Sequence, residues 1–428
     1  MTTATGGERG CASGMLRAMA ERGKRWSALT AGQRNAFLAA MLSWTLDALD
    51  FFLLIFCMPA IASGFHADVA RVAEAVFLTL ALRPVGALVF GAAADKWGRK
   101  PTLVVNILCY SAAELGCAFA PSLGALLALR AVFGVAMGGV WGVGAALAFE
   151  TLPTEGRGFF SGLLQEGYAI GYLLAAGAFG AGFHWLGWRG LFALGAVPVL
   201  LVPFVVRGVS ESPVWLERRS RRAAKTGWRE RVRELRGHLP VFVFLILLMT
   251  AFTSFSHGTQ DMYPTFLLKG AGFTAALVGV IGVVYNVGSL AGGMVFGSLS
   301  ERWGRRRAIM AAALLAMPIV PLFAYGRSAL ALGAGAFLMQ FMVQGAWGVV
   351  PAYLTELSPA SLRAVLPGVA YQLGNLLTSR NLVLQTRLAE RLGSFRPVLA
   401  GTVVVAGLAL AAVTALGRES RGARIGAE

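Results

Sequence analysis

Long apolar runs alternate with short polar breaks along this chain, and that rhythm predicts a set of membrane-crossing helices. A helix rises about 1.5 Å per residue, so roughly 20 apolar residues span a hydrocarbon core of about 30 Å. Runs of this order occupy 36–62, 72–94, 101–120, 124–149, 159–184, 187–207, 239–268, 273–298, 307–325, 328–355, 364–386 and 397–416. Few of them carry the polar face that a helix at a water-facing surface needs. The expected fold is an all-α membrane protein of twelve transmembrane helices.

The breaks give the order of the parts. The longest, 208–238, divides the chain near its middle, so the expected organisation is a tail (1–35), a six-helix bundle (36–207), a basic linker (208–238), a second six-helix bundle (239–416) and a short tail (417–428). Between Ser210 and Gly237 nine Lys/Arg stand against four Glu. With the basic N-terminal tail, the positive-inside rule then places both termini in the cytoplasm. Arg387, Arg391 and Arg396, after span eleven, run against that bias. Residues 1–34 lack an apolar core and cleavage site, so the first span is expected to be an uncleaved anchor in the cytoplasmic (inner) membrane.

An internal repeat ties the halves together. FGAAADKWGRK at Phe90–Lys100 recurs as FGSLSERWGRR at Phe296–Arg306, a shift of 206 that maps Asp95 onto Glu301 and Arg99 onto Arg305. The same shift carries Glu150, Pro153 and Arg157 onto Glu356, Pro359 and Arg363. Two pseudo-symmetric six-helix bundles that rock against each other are the expected architecture. Each repeated loop is read as a turn of two to six residues, where glycine lets the chain reverse and an acidic side chain pairs with a basic one or a helix end. A pairing that breaks during opening makes Asp95, Arg99, Glu150, Arg157, Glu301, Arg305, Glu356 and Arg363 the expected gating residues.

Composition sharpens this. The chain is 57% hydrophobic and 14% charged, with mean hydropathy +0.66, against about 25% charged in soluble domains. The net charge of +17 sits in the tail and short loops, as a topology signal beside anionic lipid rather than a nucleic-acid surface. Cys11, Cys57, Cys109 and Cys117 show no metal-ligand spacing and read as packing residues. No nucleotide loop, metal cluster or nucleophile constellation points to an enzyme or a cofactor.

Ionisable groups inside spans are costly and mark candidate sites. They are Asp47 and Asp50 in span one, Arg83 in span two, Glu114 in span three, Glu166 in span five, His257 and Asp261 in span seven, and Arg380 in span eleven. In span seven His257, Asp261 and Thr265 follow at i, i+4 and i+8, beside a stripe of Thr253, Ser256 and Gln260. Pro264 allows a bend. Such a face suits a cavity wall. A lone buried arginine matches a carboxylate in bidentate geometry, unless Arg83 is permanently paired with Asp47 or Asp50. Neither Glu114 nor Glu166 has an evident partner in the sequence. Tyr168 and Tyr172 read equally as packing and as cavity wall.

The repeated loops and Arg130-x-x-x-Gly134-x-x-x-Gly138 resemble signatures of the major facilitator superfamily. WTLDALDFF, LRPVGALVFG, SHGTQDMYPTF and AYQLGNLL resemble the monocarboxylate branch of the sialate:proton symporter family, over about residues 30–416. The resemblance implies proton-coupled import of short monocarboxylates such as lactate and pyruvate; the expected working unit is a monomer. It implies substrate contacts from Arg83, Ser256, Gln260, Thr265, Gln372 and Asn375. Proton handling falls to Asp47, Asp50, His257 and Asp261. Thr253 stands where the family usually has Asn, keeping a hydroxyl and dropping an amide donor, with an expected influence on substrate range. Glu166 and Arg380 are also unusual for the branch. A symporter for a larger acid (sialate or an aromatic acid) and a transporter-like nutrient sensor are the alternatives.

Overall fold

The structure, a computed structural model, describes residues 26–221, 236–359 and 362–423. Cys11 with most of the N-terminal tail, the core of the basic linker (222–235) and residues 424–428 lie outside the described residues. Every described element is helical. In chain order the rods are α1 (Ala31–Gly64), α2 (Val69–Trp97), α3 (Arg99–Ala118), α4 (Leu123–Thr151), α5 (157–186) and α6 (188–208). There follow α7 (Leu239–Gly270), α8 (Ala275–Trp303), α9 (Arg305–Tyr325), α10 (Ala329–Leu357), α11 (366–392) and α12 (Arg396–Leu416).

Among the described residues ten helices are long and apolar enough to cross a membrane, and the bent pair Val197–Gly208 and Pro213–Ser220, which takes in the end of α6, raises this to eleven. The twelfth segment, α11, is broken at Ser379–Arg380 into pieces of 13 and 12 residues, each too short alone. At Gly187 the backbone turns to φ 58°, ψ −175°, which separates α5 from α6.

The repeat reaches further than its loops. Ser122 and Ser328, again 206 apart, cap α4 and α10 by accepting from the N–H of Ala125 and Ala331 at 3.2 Å, satisfying one orphan donor each. The repeated turns are tighter than the expected two to six residues. One glycine suffices: Gly98 at φ 114° joins α2 to α3, and Gly304 at φ 95° joins α8 to α9. That backbone region excludes side chains, so a longer turn is unnecessary once glycine is there.

Inside each half, helices approach until backbone meets backbone. A Cβ at Gly138 would lie 2.0 Å from the Arg83 carbonyl oxygen, and one at Gly292 would lie 2.1 Å from that of Phe341. Small residues make such α2–α4 and α8–α10 packing feasible where lipid supplies no hydrophobic drive between helices. The halves themselves meet at the end carrying the repeated turns, here called the motif end. There α5 lies on α8, with a Cβ at Gly158 placed 2.2 Å from Gly297 O and one at Gly162 placed 2.3 Å from Gly293 O. On the other side α2 meets the segment leading into α11, where a Cβ at Gly91 would lie 2.9 Å from Ala364 O. The motif end is shut.

Candidate functional site

Two matched clusters lock the motif end of each half. Arg99 donates Nε and Nη2 to Glu150 at 3.0 Å each and reaches Asp95 at 3.1 Å. Its mirror Arg305 binds Glu356 at 3.1 and 2.9 Å and Glu301 at 3.1 Å. Both forks are bidentate and buried, the geometry in which guanidinium and carboxylate bind strongly. The turn amides are held too: Glu211 accepts from Arg99 N at 3.0 Å, and Glu419 from Arg305 N at 2.8 Å. Ser212 donates to Glu150, and Ser420 to Glu356 at 2.7 Å.

Sequence reasoning missed these Glu–Ser pairs. Their offset is 208, two residues off the main repeat, so a search at one fixed shift passes over them.

The halves are also tied across the seam. Glu301 accepts from the backbone N–H of Gly156 at 3.2 Å and from that of Gly158. Arg157 and Arg363 do not mirror Arg99 and Arg305. Arg157 donates to the carbonyls of Leu152 and Ala423, and Arg363 to those of Thr355 and Ser358, at 3.2–3.3 Å. Both cap helix ends, Arg157 that of α4 and Arg363 that of α10.

Beyond the closed seam lies a cavity of about 250 Å³ between the halves, lined by α1, α5, α7, α8 and α10. From the N-terminal half come Phe52, Gln165, Glu166, Tyr168 and Tyr172; from the other, Gln260, Tyr263, Tyr285, Asn286, Ser289 and Gln344. Gln260 donates to Gln340 at 3.1 Å, and Trp141 donates to Gln165 at 3.4 Å. Beside it His257 Nδ1 meets Asp261 at 3.2 Å, their side chains 44% and 33% exposed. This pair is therefore partly exposed while the motif end is shut.

Arg83 is 2% exposed, and its Nε and Nη2 have no hydrogen-bond partner. Its charge acts on Asp47, Tyr168, His257 and Tyr371, the groups around it. The permanent pairing with Asp47 or Asp50 is therefore not formed. Asn375 donates to Gln372 at 3.2 Å and lies within reach of His257, so Arg83, His257, Gln372 and Asn375 converge from α2, α7 and α11. Among the described residues, Gln260 is the one expected substrate or proton residue in the cavity lining; Arg83, His257, Asp261, Gln372 and Asn375 are not in it, nor are the buried Ser256 and half-buried Thr265. The turn at Asp261–Met262, between Leu239–Gln260 and Tyr263–Thr265, interrupts the simple i, i+4, i+8 stripe.

Other expectations are corrected. Glu114 has a partner after all: it forms a fully buried ion pair with Arg130. Asp47 and Asp50 are wholly buried in the N-terminal half, their carboxylate oxygens without hydrogen-bond partners, and Asp50 lies beside Gly195 next to Glu114. Thr253 faces α11, not the cavity, donating to Met249 O at 2.8 Å and accepting from Thr378 at 3.1 Å. Arg380 is exposed at the break in α11. Cys57 and Cys117 are buried, but Cys109 is exposed and packs no core.

Comparison with known proteins gives the following. The family model described as Major Facilitator Superfamily matches residues 40–379. A carboxylic acid transporter protein homolog of Saccharomyces cerevisiae is 30% identical over 380 residues, covering 83% of this chain; the chain spans 61% of that relative's length. The sialic acid transporter NanX of Escherichia coli is 25% identical over 344 residues, covering 80% of this chain and 84% of its own. Among solved structures, the proton:xylose symporter XylE superposes with a TM-score of 0.72 at 16% identity, over 92% of this chain and 98% of its own, a likeness of fold.

Proposed function

The chain belongs to the Major Facilitator Superfamily and is a membrane transporter rather than an enzyme, and from that premise we propose that it carries small organic acids together with protons. Short monocarboxylates such as lactate and pyruvate are the expected substrates, imported across the cytoplasmic membrane by alternating access. The observation that carries this reading is Arg83, a buried guanidinium with two nitrogens left unpartnered, whose charge acts on Tyr168 in the cavity wall. Burying such a group without partners is costly, and a substrate carboxylate completes it in bidentate geometry.

Arg83 holds the carboxylate, and Gln260, Gln372 and Asn375 orient the remaining polar groups. His257 and Asp261 exchange the proton at the accessible side, with Asp47 and Asp50 as a second proton store behind Arg83. Neutralising charge before the site closes is the reason to move acid and proton together. The closed motif end, with its locks around Arg99 and Arg305, is the cytoplasmic gate; releasing the α5–α8 and α2–α11 seams opens it.

The relative named as a carboxylic acid transporter homolog supports the acid class. The NanX relative supports a second reading, a larger acid. Competition separates them: unlabelled pyruvate is expected to block labelled lactate uptake in proteoliposomes, and sialate to leave it unchanged. Arg83→Ala is expected to abolish uptake in protein that remains monodisperse. Near-normal uptake in that variant removes Arg83 from the role.

A further inference from the structure

We propose that the central cavity is built for a carboxylic acid that also carries a cationic nitrogen, held by Glu166 and a set of aromatic rings. This rests on the organic-acid reading above and narrows its substrate class. Glu166 occupies the one-residue turn between Arg157–Gln165 and Gly167–Leu194. It lines the cavity, is 2% exposed, and its Oε1 has no hydrogen-bond partner. Oε2 has the Ser289 hydroxyl at 3.5 Å, a long contact. Among the described residues no Lys, Arg or His forms an ion pair with it. A buried carboxylate without a cation is expensive; Oε1 lies against Gly293 of α8, where an added Cβ would stand 2.0 Å away, and the residue borders the cavity beside that contact.

The walls suit a cation as well. Phe52, Tyr168 and Tyr172 meet at steep angles, Phe52–Tyr168 at 5.1 Å and 63°, Phe52–Tyr172 at 4.9 Å and 87°. Rings set nearly at right angles offer faces in different directions, and Tyr285 adds one from the opposite half. Desolvated ammonium groups bind such faces through the ring quadrupole. Asp261 acts on both Tyr168 and Tyr285, so a second carboxylate borders the same space. A plain alkanoate would put its tail against Glu166 and leave that carboxylate unmatched. An acid with a cationic nitrogen brings that nitrogen to Glu166 on the wall, with its carboxylate toward the Tyr168 side, where the charge of Arg83 acts. The volume fits: at about 30 Å³ per water, 250 Å³ corresponds to roughly eight waters, the scale of a small betaine.

The test is calorimetric binding to the full-length protein in detergent. The probes are γ-butyrobetaine, its isostere without the cation, 5,5-dimethylhexanoate, and choline. Wild type is expected to bind the betaine about tenfold tighter than the isostere, and Glu166→Gln to bring that ratio near one. Tyr285→Leu should lower the ratio and Tyr285→Phe retain it, which separates ring recognition from general damage. Equal binding of betaine and isostere by wild type, or an undiminished ratio in Glu166→Gln, overturns the proposal and leaves the acid reading standing. Choline binding without either carboxylate supports the cation site and sinks the acid reading. Binding of none of the three sinks both.

Discussion

Adding one methyl group at Gly162 should pry the motif end open. In the closed structure a Cβ there would sit 2.3 Å from Gly293 O and 2.9 Å from Gly293 C. Both are backbone atoms of α8, so no rotamer change relieves the clash. Restoring ordinary contact requires α5 and α8 to part by about 1 Å, and overpacking of this kind costs about 1–3 kcal/mol. The cost falls only on the state in which the halves touch. The equilibrium between closed and open motif ends should therefore move by a factor of roughly 5 to 150. Gly180→Ala on the same helix is the control, because a Cβ there meets nothing within 4 Å. Spin labels at Glu155→Cys and Arg302→Cys, exposed positions on the two halves near the seam, report the separation by pulsed electron resonance. Gly162→Ala should populate longer distances and Gly180→Ala should match the parent. Identical distributions for all three would refute the claim that this seam is the closing contact.

Three further outcomes follow from the same geometry. Glu114→Ala leaves the buried Arg130 without its partner and should destabilise the protein by about 3–5 kcal/mol, seen as a lower Tm in detergent; an unchanged Tm would show that the pair is not formed. Glu356→Gln weakens the lock on Arg305, which keeps Glu301 at 3.1 Å, so a smaller Tm loss than for Glu114→Ala is expected, together with longer distances in the spin-label assay. Thr253→Val removes a hydroxyl that faces α11 and should cost about 1 kcal/mol of stability while leaving the ranking of competing acids unchanged; an altered ranking would return Thr253 to the substrate path.

How far the sequence reached follows from what kind of signal each feature leaves. Span positions were legible because apolar length is set by the membrane itself, and the ion pairs of Arg99 and Arg305 because both halves repeat them at one shift. Glu114–Arg130 was not, since its partners lie on different helices and neither spacing nor repeat links them. The Thr253 hydroxyl shows the limit of a polar stripe: helical spacing gives a face, but which neighbour that face meets depends on α11. Phe52 reads as packing more readily than as a ligand contact, Tyr168 and Tyr172 are similarly ambiguous, and only the packing of α1 and α5 opposite the second half puts all three on a cavity. Arg83 lay between these cases. Its burial was legible, its lack of a partner was not.

The most direct test of the acid–proton account is proton movement in proteoliposomes. Adding lactate or another monocarboxylate outside vesicles containing the protein should make the medium more alkaline as acid and proton enter together, and Arg83→Ala should abolish the signal. Acid uptake with no accompanying proton movement, or an Arg83→Ala variant that still moves protons with the acid, would contradict it.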